Sequence, residues 1–114
     1  MKHDFETLKL ERSGDHIMIV VLNRPRVANA INLQMMEELN SLWESLNKGG
    51  NNLRCIVLTG AGNKAFSGGA DLKERDGINL EEWQKQHAML ERTVYSMSAF
   101  SLPIIAAVNG AAFG

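Results

Sequence analysis

The stretch VLTGAGNKAFSGGADLKE, residues 57–74, sets Gly60, Gly62, Gly68 and Gly69 directly behind an apolar run. A glycine-rich loop that follows a strand can hold the pyrophosphate of a dinucleotide, wrap around a phosphate group, or offer bare backbone N–H groups to a ligand. The residues around the four glycines distinguish these three uses.

The first two uses fit this loop poorly. GAGNKA, residues 60–65, satisfies the dinucleotide pattern G-x-G-x-x-G/A. However, the residues that follow it do not continue as an amphipathic helix, and no strand ending in an acidic residue appears about 20 positions later, where the chain reads LEEWQKQHAM. The phosphate-loop pattern G-x-x-x-x-G-K-[ST] occurs nowhere in the sequence.

The third use fits the second half of the loop. Gly68, Gly69 and Ala70 are small enough for a ligand to approach the backbone, and Asp71 can cap a short helical turn, LKER. Unpaired N–H groups at such a place favour negative charge, for example the oxygen of an enolate or of a tetrahedral intermediate. A plain turn, with glycines for positive φ, remains the alternative from composition alone.

Upstream of the loop, the sequence predicts a hairpin and a helix. FETLKLERSGDHIMIVVLN, residues 5–23, indicates two strands around the turn SGD, the second of them buried. Asn32 can cap a helix that Gly49 and Gly50 end. Its apolar positions recur at three and four residues: Met35, Met36, Leu39, Leu42, Trp43 and Leu46. RCIVLTG, residues 54–60, is typical of a parallel strand covered on both faces.

Downstream, Asn79 and Glu82 form a capping box for a helix that runs to about Phe100, and PIIAAVNG, residues 103–110, predicts a fourth strand. The expected core stripe of this helix consists of Leu80, Trp83, His87, Leu90, Val94 and Met97. The order ββ, α, β, α, β favours an α/β architecture.

Composition narrows the class of protein. The 114 residues, 12.6 kDa, suit one domain, and 45% hydrophobic with 22% charged residues is typical of a globular chain. A formal net charge of −1 gives no overall electrostatic attraction to nucleic acid or to an anionic membrane. A lone Cys55 in an apolar run is expected to be buried and fits a reducing compartment, and no apolar leader or span is evident, so we expect a cytoplasmic protein.

Three stretches together resemble the crotonase superfamily, also called the enoyl-CoA hydratase/isomerase superfamily. They are NRPRVANAIN (residues 23–32), AFSGGADLKE (65–74) and LPIIAAVNGAAFG (102–114), in the order and spacing of that family. The resemblance implies an α/β fold of repeated ββα turns wound into a superhelix. It also implies a homotrimer or a dimer of trimers.

The resemblance implies an acyl-CoA ligand, with coenzyme A entering as part of the substrate and no separate cofactor or metal. The backbone N–H of Ala70 would be the first of two donors to the thioester oxygen. Ala70, Asp71, Leu72 and Lys73 would line the acyl-CoA site. Arg26, Val27 and Ala28 would contact the CoA portion, with Arg26 either a partner for a CoA phosphate or an ordinary surface arginine.

In the family, the second donor is the middle glycine of a run whose first glycine matches Gly114, and the two glutamates that act on water and on the α-carbon lie further on. We therefore expect residues 1–114 to be the N-terminal part of a single crotonase-like domain, cut within the glycine run after Asn109-Gly110. The expected activity is hydration of a 2-enoyl-CoA. The alternative is a non-catalytic fragment that binds CoA or serves as an assembly partner.

Other candidate residues have simpler explanations. His87 is expected to be packed or half-exposed rather than catalytic, Glu82 to cap its helix, and Glu74 and Glu81 to lie on a solvated helix face. Trp43 and Trp83 are both expected in the core.

Overall fold

The structure, a computed structural model, describes residues 4–114. Within these residues, six strands and three helices follow one another: β1 (Leu8–Ser13), β2 (Ile17–Leu22), α1 (Leu33–Asn47), β3 (Cys55–Gly60), β4 (Ala65–Ser67), α2 (Leu72–Arg75), α3 (Leu80–Ser98), β5 (Ile104–Ala106) and β6 (Ala111–Ala112). A single 3₁₀ turn, Pro25–Val27, lies between β2 and α1.

The strands form two sheets. The larger has the order β1-β2-β3-β5, in which β1 and β2 pair antiparallel as the predicted hairpin, while β2, β3 and β5 run parallel. The smaller pairs β4 with β6 in parallel. The predicted alternation of strands and helices is confirmed, although the expected fourth strand over residues 103–110 is limited to Ile104–Ala106, and β4 and β6 were not predicted.

Helix α1 forms where its caps and periodicity predict it. The Asn32 side chain accepts a hydrogen bond from the Met35 N–H at 2.9 Å, which satisfies one of the orphan donors of the first turn. All six predicted apolar positions are buried. Trp43 is fully buried and its ring centroid lies 5.2 Å from that of Phe100, so the predicted core role of Trp43 is confirmed.

The predicted core stripe of α3 is wrong for most of its members, although Leu90 and Met97 are partly buried and Met97 packs against the core. Leu80, Trp83 and Val94 are 70%, 43% and 57% exposed, whereas Gln86 and Thr93 are buried. The cause lies on α1, where the buried Asn40 donates to the Thr93 hydroxyl at 2.7 Å. A partly polar face of α3 therefore packs on α1, where Asn40 Nδ2 has partners while Asn40 Oδ1 is buried without one among the described residues, and the more apolar stripe beside it faces outward.

Strand β3 is covered on one face rather than two. Ile56, Leu58 and Gly60 are buried on the side of α1, while the alternate residues Cys55, Val57 and Thr59 are half-buried. The expectation that Cys55 is buried is therefore met only in part. In the described part of the chain the helices stack on one side of the sheet, and Ile105 and Val108 leave apolar surface exposed on its last strand and beyond.

None of the helices within residues 4–114 combines the length and apolar character that crossing a bilayer requires.

Candidate active site

The three quoted motifs meet at one edge of the larger sheet. Leu22, the last residue of β2, pairs with Gly60, the last residue of β3, and β5 ends beside them. Because these strands are parallel, the loops that leave them (residues 23–32, 61–71 and 107–110) emerge at the same edge. Ligands of α/β proteins bind at this edge, outside the carboxyl ends of the strands.

Asn29 joins two of these loops. It is fully buried with φ +54°, and its Nδ2 donates to the carbonyl oxygens of Ala61 at 3.0 Å and Ala65 at 2.9 Å. Its Oδ1 accepts from the Arg24 N–H at 2.9 Å. Sequence reasoning did not single out Asn29, since no periodicity marks it and its only signal is its place within the first motif.

Asn109 holds the glycine loop from the other side. Its Nδ2 donates to the carbonyl oxygens of Gly60 at 2.8 Å and Gly62 at 3.2 Å, and its Oδ1 accepts from the Gly60 N–H at 3.1 Å. Two asparagine side chains therefore replace the regular ladder hydrogen bonds that this irregular loop lacks.

Gly60 and Gly69 are required by close approach. A Cβ on Gly60 would lie 2.8 Å from both the Ala65 carbonyl oxygen and the Asn29 amide nitrogen. Gly69 has φ +80°, and a Cβ there would lie 2.5 Å from the carbonyl oxygen of Gly114. The loop therefore packs against the last described residues with no room for a side chain.

The N–H of Ala70 lies on the side of the loop opposite Ile31. The Gly69 carbonyl accepts from the Ile31 N–H at 2.7 Å, and the Asp71 N–H donates to the Ile31 carbonyl at 3.0 Å. In a planar trans peptide the N–H of Ala70 is opposite the Gly69 carbonyl, so it faces the other side of the loop. No acceptor for it lies in hydrogen-bond range within residues 4–114. The backbone therefore presents a fixed, unpaired donor.

Asp71 caps the short helix α2, as the sequence predicts. Its Oδ1 accepts from the Glu74 N–H at 3.2 Å, and its Oδ2 pairs with the Arg24 guanidinium at 2.9 Å. Burial alone would raise the pKa of Asp71, but the hydrogen bond and charge of Arg24 and the backbone N–H groups of α2 outweigh it and lower the pKa. Its neighbours Leu72 and Lys73, the first two residues of α2, are exposed.

This arrangement predicts acid-sensitive stability. Since the pKa of Asp71 is lower in the folded protein than in the unfolded chain, its stabilising effect is complete above the ordinary value of 3.8 and is lost as the pH falls through the lowered value. We expect Asp71→Asn to flatten the pH dependence of the unfolding free energy below about pH 5, measured by urea unfolding. Asp15→Asn, in the exposed hairpin turn, is the control. Equal pH slopes for both variants and the wild type would contradict the prediction.

Arg26, Val27 and Ala28 lie together on the exposed 3₁₀ turn and the residue after it. A cleft of about 290 Å³ separates this turn from the glycine loop, and it is lined by Arg26, Ala28, Asn29, Ala61, Gly62 and Lys64, among others. A larger cavity, about 680 Å³, lies at the opposite edge of the sheet beside Asp15 and Asn51 and contains none of the predicted site residues. A second cleft, of about 400 Å³, lies beside the same turn and is lined by residues 23–27. The candidate site therefore adjoins two clefts, both of which include Arg26.

The carboxylates near the loop are occupied or exposed. Glu74 accepts from the Leu33 N–H at 2.8 Å and so caps α1, rather than lying on a solvated helix face as expected. The Asn79 half of the capping box is confirmed, with the Glu82 N–H donating to Asn79 Oδ1 at 2.8 Å. The Glu82 carboxylate accepts from Asn79 Nδ2 at 3.3 Å instead of from the backbone N–H, and Glu81 is exposed. None of these three carboxylates is a free acid or base beside Ala70.

His87 is half-exposed, as predicted. Its ring stacks on Trp83, which lies outside the core, with centroids 5.0 Å apart, and its Nε2 contacts Glu91 at 2.9 Å. Across residues 4–114, His, Cys, Asp and Glu side chains form no group of three or more that could hold a metal ion.

Comparison with known proteins identifies the family. The sequence profile described as enoyl-CoA hydratase/isomerase matches residues 12–114. The chain belongs to this family. Its fold is that of crotonase-type structures, and the expected resemblance is confirmed.

Individual relatives agree with this assignment. The chain is 38% identical over 101 residues to a putative enoyl-CoA hydratase/isomerase of Bacillus subtilis, and 33% identical over 105 residues to a short-chain-enoyl-CoA hydratase of Clostridium acetobutylicum. These matches cover 89% and 92% of this chain but 38% and 40% of the relatives. The crystal structure of an enoyl-CoA hydratase from Bacillus anthracis superposes with a TM-score of 0.87 at 38% identity, covering 92% of this chain and 40% of that one. The chain thus spans about two fifths of the length of these family members, consistent with the predicted N-terminal part.

Proposed function

We propose that the protein acts on an acyl-CoA thioester and hydrates a 2-enoyl-CoA to a 3-hydroxyacyl-CoA. The observation that carries this proposal is the N–H of Ala70, which has no partner within residues 4–114 and lies on the side of the loop opposite Ile31. Fixed backbone donors of this kind stabilise negative charge that develops on an oxygen during reaction. Membership of the enoyl-CoA hydratase/isomerase family supplies the thioester as the source of that oxygen.

The proposed reaction uses the donor at one defined moment. A water oxygen bonds to the β-carbon while the water gives up one proton to a base, and the π electrons of the double bond move onto the thioester oxygen as an enolate. The α-carbon then takes up a proton and the carbonyl re-forms. The Ala70 N–H would hydrogen-bond that oxygen most strongly when it is charged, which is the condition for raising turnover rather than binding alone. Residues 111–114 run beside the loop, with the Phe113 N–H donating to the Ser67 carbonyl at 3.0 Å. A residue following Gly114 in a longer protein could therefore approach the same oxygen as the second donor.

The alternative is a protein that binds CoA thioesters, or assembles with other subunits, without turning substrate over. It is favoured by one observation: the carboxylates of Asp71 and Glu74 are committed to Arg24 and to helix caps, so neither can move a proton for hydration. Hydration then depends on acidic residues from a longer chain.

We further propose a homotrimer or dimer of trimers in the cytoplasm, in which exposed apolar residues such as Val94 and Phe113 are covered.

An absorbance assay distinguishes hydration from binding alone, because hydration removes the double bond that is conjugated with the thioester. The full-length protein is mixed with 2-butenoyl-CoA, and the absorbance of the enoyl thioester is followed over time. Turnover supports hydration. Binding of butanoyl-CoA, a saturated thioester that cannot be hydrated, without any loss of absorbance in the first assay would replace the hydratase proposal with the binding role.

Arg26→Ala is expected to raise KM for the acyl-CoA roughly 3- to 10-fold with little change in kcat. The reason is that an exposed arginine on the 3₁₀ turn would contact a CoA phosphate equally in the ground and transition states, which is uniform binding. Arg54→Ala, an exposed arginine next to the amino end of β3, is the matched control. A KM equal to that of the control would make Arg26 an ordinary surface residue.

A further inference from the structure

One nitrogen of Arg24 ties together the two segments that hold the donor. Its Nη1 lies 2.9 Å from Asp71 Oδ2 and 2.7 Å from the carbonyl oxygen of Ala30. The side chains of Arg24 and Asp71 are 21% and 14% exposed, so solvent screens this pair little. Ala30 and Asp71 are the residues next to Ile31 and Ala70, the bridged pair at the centre of the site.

The same two segments are joined at further points along the chain. The Ile31 N–H binds the Gly69 carbonyl, and Glu74 caps α1 through the Leu33 N–H. The direction of the Ala70 N–H is the direction of the peptide plane between Gly69 and Ala70. Glycine is flexible by nature, so the orientation of this plane depends on the contacts around it. Ile31 and the Arg24–Asp71 pair hold the loop on both sides of the plane, in addition to the Gly69 N–H donating to Ser67 Oγ at 3.1 Å.

We propose that Arg24 and Asp71 are positioning residues, which aim the Ala70 N–H at the thioester oxygen from behind the loop. This inference rests on the proposed function of Ala70. It gives Asp71 a role different from the ligand contact that the family resemblance implies, because both of its carboxylate oxygens already have protein partners.

The expected consequence is a loss of transition-state stabilisation. Removing one partner of a half-buried ion pair leaves the other charge uncompensated, and the loop is expected to shift to let that charge reach water. A misplacement of about 1 Å at a reacting group can cost on the order of 10²-fold in rate. Binding of the CoA portion, which the exposed 3₁₀ turn is proposed to contact, should change little.

The test is Arg24→Met in the full-length protein. We expect kcat for 2-butenoyl-CoA hydration to fall about 10-fold or more, with KM and the Kd of butanoyl-CoA within about 3-fold of the wild type. Arg24→Lys should recover part of kcat because it keeps the charge opposite Asp71. The matched control is Arg92→Met, which breaks the Arg92–Glu44 pair: that pair has the same 2.9 Å separation, but its side chains are 62% and 60% exposed and it joins α3 to α1. We expect the control to leave all three constants unchanged.

Two results would overturn the inference: an unchanged kcat in a folded Arg24→Met, or a fall in kcat matched by an equal loss of butanoyl-CoA binding. If Arg24→Met does not fold by circular dichroism, Asp71→Asn, which keeps the size of the side chain, is measured against the same two criteria.

If the wild type binds butanoyl-CoA but does not hydrate 2-butenoyl-CoA, the proposed hydratase function fails. The positioning role is then tested by NMR, through the amide resonance of Ala70. Addition of butanoyl-CoA should then shift the Ala70 amide resonance in the wild type and in Arg92→Met, but shift it much less in Arg24→Met. Equal shifts in all three proteins would overturn the inference.

Discussion

Turnover of a 2-enoyl-CoA is expected to fall by about 10²-fold or more when Ala70 is replaced by proline, because proline has no N–H to donate to the thioester oxygen. The substitution is informative because the Ala70 N–H has no acceptor within residues 4–114. Proline therefore removes no hydrogen bond that these residues make, and the preceding Gly69 tolerates the restricted backbone before proline better than any other residue.

The measurement is the steady-state rate of enoyl absorbance loss, with circular dichroism to verify folding. Ala70→Gly is the matched control, since it removes the methyl group but keeps the N–H, and we expect it to retain most of the activity. A folded Ala70→Pro with wild-type turnover would remove Ala70 from the proposed oxyanion site.

Asn29→Ala is expected to destabilise the protein by about 3–5 kcal/mol, a large share of the stability of a small domain. The side chain is fully buried and hydrogen-bonds the carbonyls of Ala61 and Ala65 and the N–H of Arg24. The bond to the Ala65 carbonyl is buried and the other two are part-buried, and a buried backbone group left without a partner costs about 1–3 kcal/mol. A left-handed backbone at φ +54° adds about 1–2 kcal/mol for alanine.

Two further variants separate these contributions in urea unfolding. Asn52→Ala has the same backbone cost, since Asn52 has φ +61°, but Asn52 is exposed. We therefore expect the unfolding free energy to fall by only about 1–2 kcal/mol. Asn29→Asp keeps the acceptor but turns the donor toward Ala61 and Ala65 into a second acceptor, and should be as damaging as Asn29→Ala. Equal losses for Asn29→Ala and Asn52→Ala would show that the hydrogen bonds contribute nothing.

Sequence reasoning succeeded where the signal is local. Asn32 and the glycines after Asn47 delimit α1, and the spacing of its apolar residues states which face is buried. Asp71 and Asn79 cap α2 and α3 as predicted, because a cap involves only residues within one turn. The hairpin around Gly14 follows in the same way from a turn between two apolar runs.

It failed where the partner is distant along the chain. The buried face of α3 includes Thr93, whose hydroxyl accepts from Asn40 on α1, 53 positions earlier in the chain. Strands β4 and β6 are too short to show the two-residue alternation of apolar and polar side chains. Each is defined by its pairing with the other, from a distant part of the chain. The cap that Glu74 provides for α1 joins residues 41 positions apart, so no local pattern indicates it.

By itself, the sequence determined the α/β class, the caps of the helices and the motifs that mark the family, since each of these depends on residue type and short spacing. Only the tertiary structure decided that Asn29 and Arg24 brace the glycine loop and that the Ala70 N–H has no partner among residues 4–114. The physical reason is that a hydrogen-bond donor is free or paired according to which atoms the fold brings within about 3 Å, and these atoms come from loops that meet only after the parallel strands have paired.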